Sequence, residues 1–369
     1  MNRKKIIILI VLILLAAGGT AAGIFYVKSQ AKPEDKTIVT KEEPQEEPTD
    51  PHEGKAKSLL TGEWVDASLV GNRPAAVMVE DTKPALPHYG LNRAGVIYEC
   101  PVEGGYTRLM AIMEDYTDLE KIGNVRSCRP YYAYIAAEFD AIYVHFGQSV
   151  QGQEVLKTGI LDDLNGLDGS VEKSVFYRTS DRKAPYNAYT SGAGIAAGIQ
   201  KKGYETAYSE GYSGHYRFAE DDAPVVLEQG ADAQVIKLYY NYNKPYFVYN
   251  KDTGLYDRYQ FGGAQVDGVD NEQVSVKNII FQNVPSSIYS GTQYLNIPLT
   301  GSGAGKYFTG GKMIDITWKK GSNSDITRYY DASGNEIVLN QGQTWVCLIQ
   351  NSSAKKCQYF ATVEEFEAQ

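Results

Sequence analysis

Histidine is scarce in this chain of 369 residues, at positions 52, 88, 145 and 215 only, so a multi-histidine metal site is not expected. Cysteine is as sparse. Cys100, Cys128, Cys347 and Cys357 contain no Cys-x-x-Cys pair, which argues against zinc. Cys347 and Cys357 flank a polar segment, and a hairpin there would bring them into disulfide range in an exported protein; free, buried thiols are the other reading. There is no Gly-x-Ser-x-Gly, no His-Glu-x-x-His and no Walker A loop, which removes three familiar catalytic classes. Positive charge is in deficit too. With 36 Lys and Arg against 45 Asp and Glu, the formal net charge of -9 excludes a general affinity for nucleic acid, so an anion site must be a local cluster. No cofactor is expected. Tyrosine, by contrast, is abundant, at 29 against 11 Phe, and suits half-buried strand faces and grooves that contact sugars or peptides, because the ring is apolar and its tip polar.

One long apolar run does occur. Arg3, Lys4 and Lys5 precede the uncharged segment 6–27, long enough to cross a hydrocarbon core as a helix. The small residues Gly19, Thr20, Ala21 and Ala22 also fit a cleavable signal peptide, but the apolar run resumes at Ile24 and favours a retained single-pass signal anchor over residues 1–27. Either way the remainder is exported. Residues 28–60, rich in Glu and Pro, lack the apolar surface to fold and read as a disordered stalk.

Two globular regions are expected after it, an α/β domain over residues 61–220 and a mainly β domain over 221–364. In the first, Ala75-Ala76-Val77-Met78-Val79, Val96-Ile97-Tyr98-Glu99, Leu109-Met110-Ala111-Ile112-Met113 and residues 141–146 read as buried strands. Residues 131–139 and 193–202 read as helices, the latter closed by Gly203. The second region shows short strands between Gly and Asn turns, with 246–249 pairing 255–259, and suggests a sandwich or small barrel.

Candidate chemistry is confined to the first region. Arg108, Arg126, Arg129, Arg178, Arg182 and Lys183 concentrate positive charge in an acidic protein, and guanidinium forks suit bidentate phosphate or carboxylate binding. Arg126, Ser127 and Arg129 directly precede a predicted helix, whose N-terminus favours anions. His145 ends a predicted strand, where α/β proteins place their sites, with Ser149 just beyond it and Asp140 before it. The ligand-binding set is therefore Arg108, Arg126, Ser127, Arg129, His145, Ser149, Arg182, Lys183 and Asn187, and His145 and Asp140 are the candidates for acid or base. The competing reading pairs each arginine with Glu80, Asp81, Glu99, Glu103 or Asp140. His88, in Leu86-Pro87-His88-Tyr89-Gly90, reads as a surface turn.

These segments in their order resemble the YerB-like lipoproteins of Gram-positive bacteria, a family built around a domain of unknown function. The likeness runs through Asn72-Arg73-Pro74, residues 102–108, 122–131 and 140–149, Leu161-Asp162-Asp163-Leu164-Asn165-Gly166 and Arg182-Lys183-Ala184-Pro185. It continues through Gly301-Ser302-Gly303, Thr317-Trp318-Lys319-Lys320, residues 329–334 and Gly342-Gln343-Thr344-Trp345. The resemblance implies an N-terminal α/β domain followed by a separate C-terminal domain at the cell envelope, and no established activity. Three departures stand out. No cysteine directly follows the apolar run, the first being Cys100, so the helix itself must anchor the chain; Asn124 replaces an expected proline, and Tyr186 an expected histidine. The reading that follows is an extracytoplasmic envelope protein that binds an anionic polymer, a lipid-linked precursor or a wall-synthesis partner, rather than an enzyme. The alternatives are an enzyme acting on a phosphodiester or glycosyl-phosphate, and a scaffold without a small-molecule site.

Overall fold

The computed structural model describes residues 51–369, so the anchor at 1–27 and most of the stalk at 28–60 lie outside the described residues. Among the described residues no helix is long and apolar enough to cross a membrane. The end of the expected stalk is folded. Lys55–Lys57 pairs antiparallel with Trp64–Asp66, and Leu60 is fully buried, because Leu59 and Leu60 supply the apolar surface that the Glu/Pro stretch lacks. The compact unit is His52–Gln369.

The protein is mostly sheet. Its spine is an 11-stranded sheet in the order Ala231–Asp232, Lys312–Lys320, Gly301–Thr309, Asn278–Val284, Thr344–Gln350, Val96–Pro101, Thr107–Met113, Ala75–Glu80, Ile142–His145, Asp163–Asn165, with Arg328–Tyr330 alongside Lys312–Lys320. The strands read from Ala75, Val96 and Leu109 lie side by side at its centre. Each is buried on both faces, as a near-continuous apolar run requires. Along Ala75–Glu80 the alternation feeds two cores: Ala75, Val77 and Val79 enter one, Ala76 and Met78 the other.

Helix Pro130–Glu138, opened by proline at its first turn, packs Tyr132, Ile135 and Ala136 into the second core. The first core is covered by helix Gly192–Lys202 and by a six-stranded sheet. That helix is capped by Ser191, which accepts from Gly194 N, and ends at Gly203 with φ 69°.

The region after residue 220 does not close a sandwich or barrel of its own. It forms the six-stranded sheet, in which Tyr246–Asn250 pairs with Leu255–Gln260 as expected, and sends its remaining long strands into the shared spine. The seam is parallel: Thr344–Gln350 pairs with Val96–Pro101 on one side and with Asn278–Val284 on the other. The disulfide expectation also fails. All four cysteines are free and buried, and Cys347 and Cys357 sit in the first core as small apolar groups, with Cys357 Sγ 3.9 Å from Ser353 O. Burial pushes both thiols up, which keeps them unreactive.

Candidate functional site

Cross-strand register begins the site. Glu80 and Arg108 face each other in adjacent antiparallel strands at the top of the spine, and the segment 122–129 runs back over them. Arg126 N binds Met78 O at 3.0 Å, which fixes the segment on the strand below and lays the Arg126 side chain against the Glu80 carboxylate as an ion pair. Arg129 forms a fork with Glu103, Nε to Oε1 at 2.8 Å and Nη2 to Oε2 at 2.7 Å. Two predicted structural pairs are thereby real. Arg108 is left over.

Its guanidinium donates from Nη1 to Ser127 O at 3.0 Å; among the described residues no carboxylate lies within ion-pair distance of it and its buried Nε has no hydrogen-bond partner. Burial first, then the Arg129 and Arg126 charges, hold its pKa below the ordinary arginine value. Three guanidiniums thus share two carboxylates under little solvent. That is an electrostatic demand for an anion.

A cleft of about 310 Å³ opens beside this cluster, lined by Arg126, Ser127, Gly147, Gln148, Arg178 and Pro185 among others. Arg178, named in the sequence cluster but not in the ligand-binding set, contributes a second exposed-side guanidinium. It stacks on Phe146 at 4.7 Å and is oriented by Asn187 Oδ1 at 2.9 Å. Like Arg108, it has no carboxylate within ion-pair distance among the described residues. Asn187 is therefore a positioning residue, its own Nδ2 bound to Thr179 O. Asn124 and Tyr186, two of the three departures from the family pattern, are in contact: Asn124 Nδ2 donates to Tyr186 O at 2.7 Å, and the Tyr186 ring lies 5.9 Å from the Arg126 guanidinium.

Other predicted residues are committed elsewhere. Arg182 spends its guanidinium on the carbonyls of Ala85 and Leu86, at 2.6 and 3.0 Å, and ties two loops together. Lys183 is exposed in that loop. Ser149 caps helix Val150–Leu156 by accepting from Gly152 N at 3.0 Å. His145 is fully buried, with Nδ1 2.8 Å from Gly147 O and Nε2 3.0 Å from Asp163 Oδ2, so neither nitrogen faces the cleft. Asp140 precedes the strand that His145 ends. It accepts from Ser209 N and pairs with Arg73, so the two acid–base candidates occupy opposite ends of Ile142–His145 and share no cleft.

A second charged cluster was not foreseen. Asp81, Glu99 and Arg258 are all fully buried where the six-stranded sheet packs on the spine. Arg258 Nη2 donates to Glu99 Oε2 at 2.7 Å, and the guanidinium lies between the rings of Phe247 and Trp345 at 4.7 and 4.6 Å. Asn243 Nδ2 bridges Asp81 Oδ2 and Glu99 Oε1, at 2.8 and 3.1 Å. Burial pushes Glu99 up to about 7, against the pull of Arg258, and Asp81 up to about 6. His88 joins this layer rather than a surface turn, buried between Glu80 O and Gln265 Nε2 at 2.7 and 3.0 Å.

Comparison with known proteins places the chain in a family. Residues 60–205 match the family described as "Protein of unknown function (DUF3048) N-terminal domain", and residues 236–346 match its C-terminal domain. The Bacillus subtilis (strain 168) protein named "Putative lipoprotein YerB" is 29% identical over 310 residues, covering 81% of this chain and 88% of the relative. A crystal structure of the Bacillus subtilis YerB protein superposes with a TM-score of 0.72 at 28% identity, covering 80% of this chain and 97% of that one.

Proposed function

Because this chain belongs to the YerB-like family, with its paired N- and C-terminal domains, we propose that it is an extracytoplasmic cell-envelope binding module. In this reading residues 1–27 anchor it and the cleft beside Arg126 and Arg178 holds an anionic envelope ligand. The lipoprotein name of the relative and the uncharged run 6–27 support the location. The observation that carries the binding role is Arg108, a buried guanidinium beside two others with one carboxylate too few. A phosphate or carboxylate entering the cleft supplies the missing negative charge, with Arg126 and Arg178 reaching it from two segments. The ligand class is an anionic polymer, a lipid-linked sugar phosphate or an acidic face of a wall-synthesis protein.

Calorimetric titration of the full-length chain with short poly(glycerol phosphate), and with inorganic phosphate alone, tests this. Affinity should fall as salt rises, and Arg178→Ala or Arg126→Lys should weaken it about tenfold with the melting temperature retained. Equal affinity in the variants removes the cleft from the reading.

A further inference from the structure

A second cleft, of about 210 Å³, lies between the 103–105 turn, residues 239–241, the 288–295 hairpin and Gln350, with Glu103 in its lining. The exposed rings of Tyr106 and Tyr239 line it, at 40% and 37% exposure, with Ile288 at its rim and the ring of Tyr242 edge-on to Tyr106 at 4.5 Å. Single exposed apolar side chains are ordinary on a protein surface; Tyr106, Tyr239 and Ile288 gathered around one concavity from three segments are not.

The chemistry of this cleft differs from that of the basic one. Its lining carboxylate, Glu103, has both oxygens taken by Arg129 and offers no free charge. Lys356 covers one face of Tyr239, 4.6 Å from the ring centre, and is the cation nearest that ring in cation–π contact. The amides of Asn241 and Gln293 are exposed and carry no side-chain hydrogen bond within the described residues, so each retains donors and an acceptor. At Gly105, φ is 76° and no heavy atom lies within 4 Å of a Cβ position, which leaves open backbone at the cleft edge.

Aromatic rings beside a carboxylate that is already paired, flanked by amides that both donate and accept, complement a pyranose ring. The ring has an apolar C–H face and hydroxyls of the same dual character. The volume is below the 300–1,000 Å³ usual for drug-sized ligands, so the site fits a single ring of a longer chain. We infer that this tyrosine cleft is a subsite for an uncharged saccharide ring, separate from the anion cleft, with which it shares no lining residue. A glycan bearing both neutral and phosphorylated units would engage the two together.

Saturation-transfer difference NMR on the full-length chain, with the N-acetylglucosamine disaccharide as probe and an uncharged tetrapeptide as competitor, decides the matter. Ring C–H protons should receive saturation. Tyr239→Ala and Tyr106→Ala should each weaken binding at least fivefold, Tyr239→Phe should stay within twofold, and Arg178→Ala should leave it unchanged. Should an alanine variant fail to fold, Gln293→Ala, at an exposed position, should still weaken binding at least twofold. No saturation at any soluble concentration, affinity indifferent to these substitutions, or displacement by the tetrapeptide each overturns the proposal. Because the probe is uncharged, failure here leaves the poly(glycerol phosphate) result standing, and the converse holds.

Discussion

Two arginine–carboxylate clusters lie one residue apart in the chain, since Glu80 faces one and Asp81 the other, and they err in opposite directions. The cluster at the cleft has Arg108, Arg126 and Arg129 against Glu80 and Glu103. The buried one has Asp81 and Glu99 against Arg258. Surplus positive charge beside an opening is accessible to an anion from solvent, as the proposed binding role requires. Surplus negative charge beneath two sheets has only protons to draw on, and the raised pKa values of Asp81 and Glu99 are the result. The position of the imbalance relative to solvent, more than its size, separates a binding site from a structural joint.

Removing the cation tests the contrast most severely. Arg258→Met should cost about 3–5 kcal/mol in urea unfolding, because it strands two buried carboxylates. Arg108→Met should cost no more than about 1 kcal/mol, since it removes an unpaired charge. If the two costs are equal, the distinction between joint and site collapses.

Proton linkage provides the next test, on the order of 1–3 kcal/mol. Glu99 has a folded pKa raised above its unfolded one, so between about 4.5 and 7 the folded state binds the extra proton and stability falls as pH rises. His88 works the other way. Its pKa is lowered to about 4 by burial, so its contribution is lost as pH falls from 6.5 toward 4, and the two partly cancel in the unaltered chain. Comparing Glu99→Gln with the unaltered chain isolates the carboxyl. Unfolding measured from pH 5 to pH 8 should show the glutamine variant gaining relative stability as pH rises. A gain toward low pH would mean that Arg258 holds Glu99 ionised.

Smaller still is the effect at the helix cap. Ser149→Ala should cost about 1 kcal/mol of stability and leave phosphate affinity unchanged, since its hydroxyl is spent on Gly152 N. A loss of affinity at unchanged stability would restore Ser149 to the site.

The same contrast explains what could be read from the sequence. Strands Ala75–Glu80 and Thr107–Met113 were legible because burial on both faces forces unbroken apolar runs, and helix Gly192–Lys202 because Ser191 and Gly203 punctuate it. Arg126, Ser127 and Arg108 were legible as a cluster, since charge in an acidic chain is conspicuous. Nothing local, however, announces that Arg258 and Glu99, 159 positions apart, will meet. Nor does an exposed lysine, a capping serine or a buried histidine look different in a sequence from a ligand-binding one; Lys183, Ser149 and His145 are told apart only by where their neighbours stand. The tyrosine cleft drew on the abundance of Tyr, but its four segments are assembled by pairings that composition does not specify.

The parallel seam also governs the order in which the molecule can be completed. Val96–Pro101 receives one neighbour at once, from Thr107–Met113, and the other only from Thr344–Gln350. As the chain emerges N-terminus first, one edge of its earliest core strand stays open until nearly the whole polypeptide has been made. A nascent chain that cannot close its central sheet until the end stays threadable for longer, and a fragment cut short before residue 344 would present an unpaired apolar edge to every other copy.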